Sequence, residues 1–167
     1  TTIIFSGDII GTNGIDTSNE SGTIIFRGNN SGLSGKVDST ISTGRLGIGS
    51  DTALGTGNTD IRFNTVLFAD GGDRTLANPL SWSTTQTVRF DGTTGNDLTF
   101  SGNGVIGNLA MVGGGPGELT FSGDINLAGS QIVGNGGLGR INFTGNNTGG
   151  YSQIREGIEV GIGHDNA

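Results

Sequence analysis

The chain has 167 residues, 35 of them Gly, no Cys, 14% charged residues and a net charge of −7. Gly without a three-residue period excludes collagen, and patterned apolar residues with so little charge argue against disorder. The acidic balance argues against nucleic acid and anionic membranes as partners, the lack of Cys removes disulfide and thiolate chemistry, and no apolar run is long enough for a transmembrane helix.

Ile3-Ile4-Phe5-Ser6-Gly7 opens the chain with apolar residues two apart, hence on one side of a strand, and its Gly ends or bends that strand. Gly7-Asp8-Ile9-Ile10-Gly11 reads as a second short strand round a corner, and 12–21 as a polar turn. The opening phrase returns at Ile24-Ile25-Phe26-Arg27-Gly28, followed by the turn Asn29-Asn30-Ser31-Gly32. Val37 to Ile41 is a further strand, Gly44 to Gly49 a tightly packed one, and Ser50 to Gly55 closes the unit. The middle, 58–117, is less regular. It holds a weak copy at Ile61-Arg62-Phe63, an apolar strand at Thr65 to Ala69, a Gly71-to-Arg74 loop and the segment Leu76 to Trp82. The phrase stands again at Val88 to Gly92 and Leu98 to Gly102, and Leu109, Met111 and Val112 precede a Gly-rich corner. From 118 the opening order returns. Phe121-to-Ile125, Phe143-to-Gly149 and Val160-to-Ala167 answer Phe5-to-Ile9, Phe26-to-Gly32 and Leu46-to-Ala53, at offsets of 116, 117 and 114. No stretch supports a long helix. The Gly content predicts many tight corners that need positive φ.

The Phe spacing sets the architecture. Phe5 to Phe26 is 21 residues, Phe68 to Phe90 is 22, Phe100 to Phe121 is 21 and Phe121 to Phe143 is 22. Leu46 and Ile48 fill the rung between Phe26 and Phe68. Recurrence at this period is the mark of a solenoid. The expectation is an all-β parallel β-helix with coils of about 21–23 residues, stacked about 4.8 Å apart. Its structural ladder is Phe5, Phe26, Phe68, Phe90, Phe100, Phe121 and Phe143. About seven coils make a rod segment of roughly 35 Å. Residues 1–167 form one solenoid segment, with 1–117 as one long repeat and 118–167 as the start of the next.

These elements, in this order, resemble the autotransporter-associated β-strand repeat of bacterial surface proteins. The matching residues are Gly7-Asp8-Ile9, Ile24 to Asn30, Val37 to Ile41, Gly44 to Gly49 and Ala53-Leu54-Gly55. The second copy supplies Gly123-Asp124-Ile125, Ile141 to Asn147, Tyr151 to Ile154, Gly157 to Gly163 and Ala167. Phe stands where the family has its second Leu. The resemblance implies a right-handed parallel β-helix on the outside of a bacterium.

Candidate chemistry is sparse. His164 sits in a turn where the first copy has Ser50, and no Gly-x-Ser-x-Gly elbow accompanies it. Asp70 and Asp73, beside Arg74, form the densest acidic group, and glycosidases work with two carboxylates across a cleft. Asp8 and Asp124 recur at matched positions, which favours a turn or capping role over catalysis. Gly71-Gly72-Asp73 and Gly134 to Gly137 resemble calcium-binding loops, but the serial nonapeptide of calcium solenoids is missing. Asn29/Asn30 and Asn146/Asn147 occupy equivalent corners, where stacked amides can form ladders. Trp82 and Tyr151 are the candidates for carbohydrate contact.

The expected function is a non-catalytic structural or adhesive segment of an extracellular bacterial surface fibre. No catalytic residue, cofactor or metal is assigned. The alternative is a polysaccharide-binding or polysaccharide-degrading β-helix. Ile3 begins and Ala167 ends in mid-phrase without a cap. Further copies of the repeat, in covalent tandem or stacked end to end, are therefore the expected partners.

Overall fold

The computed structural model describes residues 1–18, 21–40, 43–62, 64–82, 87–112, 115–129, 131–135, 139–150, 153–155 and 157–163. Phrases this short, punctuated by Gly, make short elements, and every strand has two to five residues. The strands stack into a parallel β-solenoid of about six turns with three sheets. The eight-stranded sheet contains β1 (Thr2–Phe5), β3 (Thr23–Phe26), β5 (Arg45–Ile48), β7 (Val66–Ala69), β10 (Thr87–Phe90), β13 (Asn108–Val112), β16 (Gln131–Asn135) and β18 (Gln153–Ile154). The six-stranded sheet contains β2 (Ile15–Thr17), β4 (Val37–Ser39), β6 (Thr59–Ile61), β9 (Leu80–Ser81), β12 (Gly104–Val105) and β15 (Ile125–Asn126). The five-stranded sheet contains β8 (Arg74–Leu76), β11 (Leu98–Phe100), β14 (Glu118–Phe121), β17 (Gly139–Phe143) and β19 (Ile158–Ile162). Among the described residues there is no α-helix, only a 3-10 turn, η1 (Gly92–Thr94).

The early coils place strands on two sides only. Their third side is bends and turns, joined by a lone bridge between Gly11 and Leu33. The strand expected over 7–11 is therefore absent, and β2 lies instead within the segment that reads as a polar turn. Two further strands the sequence conceals are β8, which starts at the last residue of the expected loop, and β16.

The single Phe ladder becomes two. Phe5 stacks on Phe26 in the eight-stranded sheet, with ring centroids 5.1 Å apart. Phe100, Phe121 and Phe143 stack in the five-stranded sheet at 5.6 and 5.3 Å. Phe68 is not a rung of either. In β7, Leu67 and Ala69 join the core, so the intervening Phe68 faces outward. There it pairs with Gly47 and lies under the Arg45 guanidinium, 4.8 Å from its ring. The rung after Ile48 is Ala69. Phe90 is interior but shifted, between Leu67 and Met111.

The long repeat also turns. Phe5 and Phe121 are sequence equivalents 116 residues apart, yet they lie in different sheets. Along each complete coil the chain visits the eight-, five- and six-stranded sheets in that order. The offset is thus five coils plus one face, and the second copy is displaced by one side of the prism.

Four of the phrase-closing glycines have a different reason from the expected one. A Cβ on Gly28, Gly102, Gly123 or Gly145 would lie 2.0–2.3 Å from a carbonyl oxygen of the preceding coil, on Gly7, Asn78, Gly102 and Gly123 respectively. None of these four has positive φ. Close coil-to-coil approach, not backbone handedness, excludes a side chain there. Positive φ falls elsewhere, on glycines such as Gly55 and Gly95 and on Asn64 and Ala128.

Candidate functional site

Where strands end, backbone N–H groups lose their ladder partners and need others. Asp and Asn side chains supply them from the neighbouring coil. Asp8 Oδ1 accepts from the Asn29 N–H at 2.9 Å, Asp51 from Thr75 at 3.0 Å, Asp73 from Asp97 at 2.8 Å and Asp97 from Glu118 at 2.8 Å. Asn103 accepts from Asp124 at 2.8 Å, Asp124 from Asn146 at 3.0 Å and Asn108 from Gln131 at 2.9 Å. Asp8 and Asp124 recur in the sequence because both hold this corner.

The buried corner amides also bind backbone. Asn30 accepts from the Ile9 N–H at 2.8 Å and donates to the Ala53 carbonyl at 2.7 Å, joining three coils. Asn147 donates to Gly145 O at 2.8 Å. Asn78, which the sequence reading missed, donates to the carbonyls of Leu54, Gly55 and Gly57. The stacked amide ladder is therefore replaced by amide-to-backbone bonds.

Asp70 and Asp73 each hold a separate cross-coil partner. Arg27 holds the Asp70 carboxylate through two bonds of 2.7 and 3.2 Å, and Arg74 donates to the Asp70 carbonyl at 2.8 Å. Asp73 is engaged with Asp97 as described. A second cross-coil pair joins Arg45 to Asp91 at 2.5 Å. Burial alone would raise the Asp91 carboxyl, but bonds from Thr93 and Arg45 hold it below its ordinary range.

An acidic column went unnoticed in the sequence, although Asp16, Asp38 and Asp60 recur every 22 residues. The three lie in register along the outside of the six-stranded sheet. Like charges on adjacent strands repel, and interleaved cations offset this. Lys36 bridges Asp38 at 3.1 Å and Asp60 at 2.9 Å, and Arg62 bonds Asp60. Burial pushes the Asp60 carboxyl up, but Arg62 and Lys36 together hold it below its ordinary value. A folded-state pKa below the unfolded one gives stability that is complete above the unfolded pKa, about 3.9, and lost as pH falls through the folded value. Urea midpoints should therefore drop as pH falls below about 4. Asp60→Asn should lower the midpoint at neutral pH and flatten that acid limb. An unchanged limb would mean the pair contributes nothing.

Trp82 corrects the carbohydrate expectation. It is 2% exposed and packs edge-on against Phe100 and Phe121, at 5.1 and 5.7 Å, so no face is available to a sugar. Tyr151 and His164 lie outside the described residues. An apolar cavity of about 530 Å³, lined by Ile3, Phe5, Ile9, Ile15, Ile24 and Phe26, is the interior of the first coil rather than a separate cleft. Among the described residues, no group of three His, Asp or Glu is placed to hold a metal, and no helix is long and apolar enough to cross a membrane. No protein-family model, curated protein or solved structure matches the chain. What the geometry establishes is a parallel β-solenoid whose corner carboxylates and amides bind one coil to the next.

Proposed function

We propose that the chain is a structural, adhesive segment of an extracellular bacterial surface fibre, non-catalytic, whose partners are further copies of its own repeat. One observation carries the reading. The carboxylates that suggested chemistry, Asp70 and Asp73, and the recurrent Asp8 and Asp124 are spent on joining coils. Such side chains serve the rod. The resemblance to the autotransporter-associated repeat points the same way.

The polysaccharide alternative retains one specific support. Thr99, Thr120 and Asn142 stand in register on the outside of the five-stranded sheet, followed by exposed Ser101, Ser122 and Thr144. Hydroxyls and a carboxamide spaced this regularly suit a polyhydroxyl chain.

Antibodies raised against the folded chain should label intact cells of the source bacterium. Labelling only after permeabilisation would reject the surface location. The purified chain should leave bacterial and plant polysaccharides uncleaved, and release of reducing ends would replace the fibre by the enzyme.

A further inference from the structure

Asn-x-Ser/Thr, with x other than Pro, is the acceptor sequence for N-linked glycan attachment, which needs an exposed loop. The chain carries it at Asn19-Glu20-Ser21, Asn29-Asn30-Ser31, Asn142-Phe143-Thr144 and Asn146-Asn147-Thr148. Asn19 lies outside the described residues. The structure separates the other three.

Asn142 sits inside β17, which is paired on both sides. Its Nδ2 donates to Glu118 at 2.7 Å and to Thr120 at 3.4 Å, and its Oδ1 accepts from Arg140 at 2.8 Å. Its carboxamide is engaged at both ends, and its backbone is held extended.

Asn29 and Asn146 differ in exposure and in the freedom of the carboxamide nitrogen. They stand at equivalent corners, directly after a phrase-closing Gly, and both are exposed with their Ser31 and Thr148 partners. The middle residue of each triplet, Asn30 or Asn147, is buried and holds the corner from within. Each Asn-Asn pair thus divides its labour, the second residue structural and the first presented to solvent. The Asn29 Oδ1 accepts from the Ser31 N–H at 3.3 Å and from the Thr52 hydroxyl at 2.9 Å, folding the carboxamide toward the residue that bears the hydroxyl. Among the described residues, the Nδ2 of Asn29 and the whole carboxamide of Asn146 have no hydrogen-bond partner.

We infer that Asn29 and Asn146 are acceptors for N-linked glycosylation in the folded chain and that Asn142 is not. The donor is a sugar activated as a nucleotide or lipid pyrophosphate. Asn Nδ2 attacks the anomeric carbon, the N–C bond forms, and the C–O bond to phosphate breaks. The phosphate leaves with the electron pair, Nδ2 gives up one proton, and nothing is oxidised or reduced. Because the repeat is displaced by one face, the two acceptors lie beyond different sheets, Asn29 after β3 and Asn146 after β17. Their glycans leave from different edges of the prism and do not compete for space. Biological use of these sites rests on the extracellular reading; the acceptor chemistry does not.

The test uses the purified, folded 167-residue chain in an Asn19→Gln background. A soluble Asn-x-Ser/Thr glycosyltransferase and a nucleotide-activated hexose are added, with the urea-unfolded chain diluted into the same mixture for reference. Intact mass should rise by two hexoses, and peptide mapping should place them on Asn29 and Asn146, as completely as in the unfolded sample. Asn29→Gln, Ser31→Ala, Asn146→Gln and Thr148→Ala should each remove one hexose, and Asn142→Gln none. Modification of Asn29 and Asn146 in the unfolded chain only would overturn the inference, as would modification of Asn142 in the folded chain. Either result leaves the cell-labelling test of the fibre untouched.

Discussion

Phe121→Ala should lower stability by about 3–5 kcal/mol, the range for removing a buried aromatic. Phe121 is fully buried, sandwiched between Phe100 and Phe143, with Trp82 against its edge. Burial of such a ring is worth roughly 1.5–3 kcal/mol, and favourable aromatic pairs add about 0.5–1.5 kcal/mol each. The void also cannot collapse along the axis, because parallel ladders on both sides fix the strand spacing near 4.8 Å. Phe68→Ala, on the outer face, should cost less, since its ring covers Gly47 and Ile25 rather than filling the core. Urea denaturation of both variants measures the difference. A loss below about 1 kcal/mol for Phe121→Ala would contradict the interior described here.

Gly123→Ala should be nearly as damaging, although it adds a single methyl group. The new Cβ would meet Gly102 O at 2.3 Å and its carbonyl carbon at 2.6 Å. No flexible side chain can move aside, so the coils themselves must part. Overpacking of this kind costs about 3 kcal/mol. Gly7 occupies the same place in the same phrase, but nothing lies within 4 Å of its Cβ position. Gly7→Ala should therefore change stability by no more than about 0.5 kcal/mol. Equal losses at the two positions would show that intrinsic backbone preference, not coil contact, selects these glycines.

The solenoid was legible because Phe, Leu and Ile alternate with polar residues at a nearly constant interval. Phase was harder to read. In Val66-Leu67-Phe68-Ala69 all four residues are apolar, since both faces of that strand are covered, and alternation disappears. Phe68 then looks like a rung by spacing alone. Trp82 looked exposed among Ser and Thr, yet Leu80-Ser81-Trp82 already alternates, in, out, in. The Asp column was present at a clean 22-residue interval but does not announce itself beside the larger apolar signal. The one-face displacement could not be read at all, because it depends on how each coil divides its residues among three sides. Nor does a sequence distinguish a Gly chosen for its φ from one chosen because a neighbouring backbone passes close by. The candidate site was legible only in part for the same reason. Asp8, Asp124 and the corner Asn residues stood out by recurrence, whereas Arg27 and Arg45 find partners 43 and 46 residues away.

Those two arginines bear on how the rod carries load. Arg27 follows β3 and grips Asp70 beyond β7, while Arg45 in β5 grips Asp91 beyond β10. Each bond skips a coil, and the two spans overlap at the junction between β5 and β7, like bricks laid in running bond. A crack at that junction must break both at once, while cracks on either side meet only one. Tension along the axis is thereby shared among neighbouring joints, and peeling from one end should stall at this point.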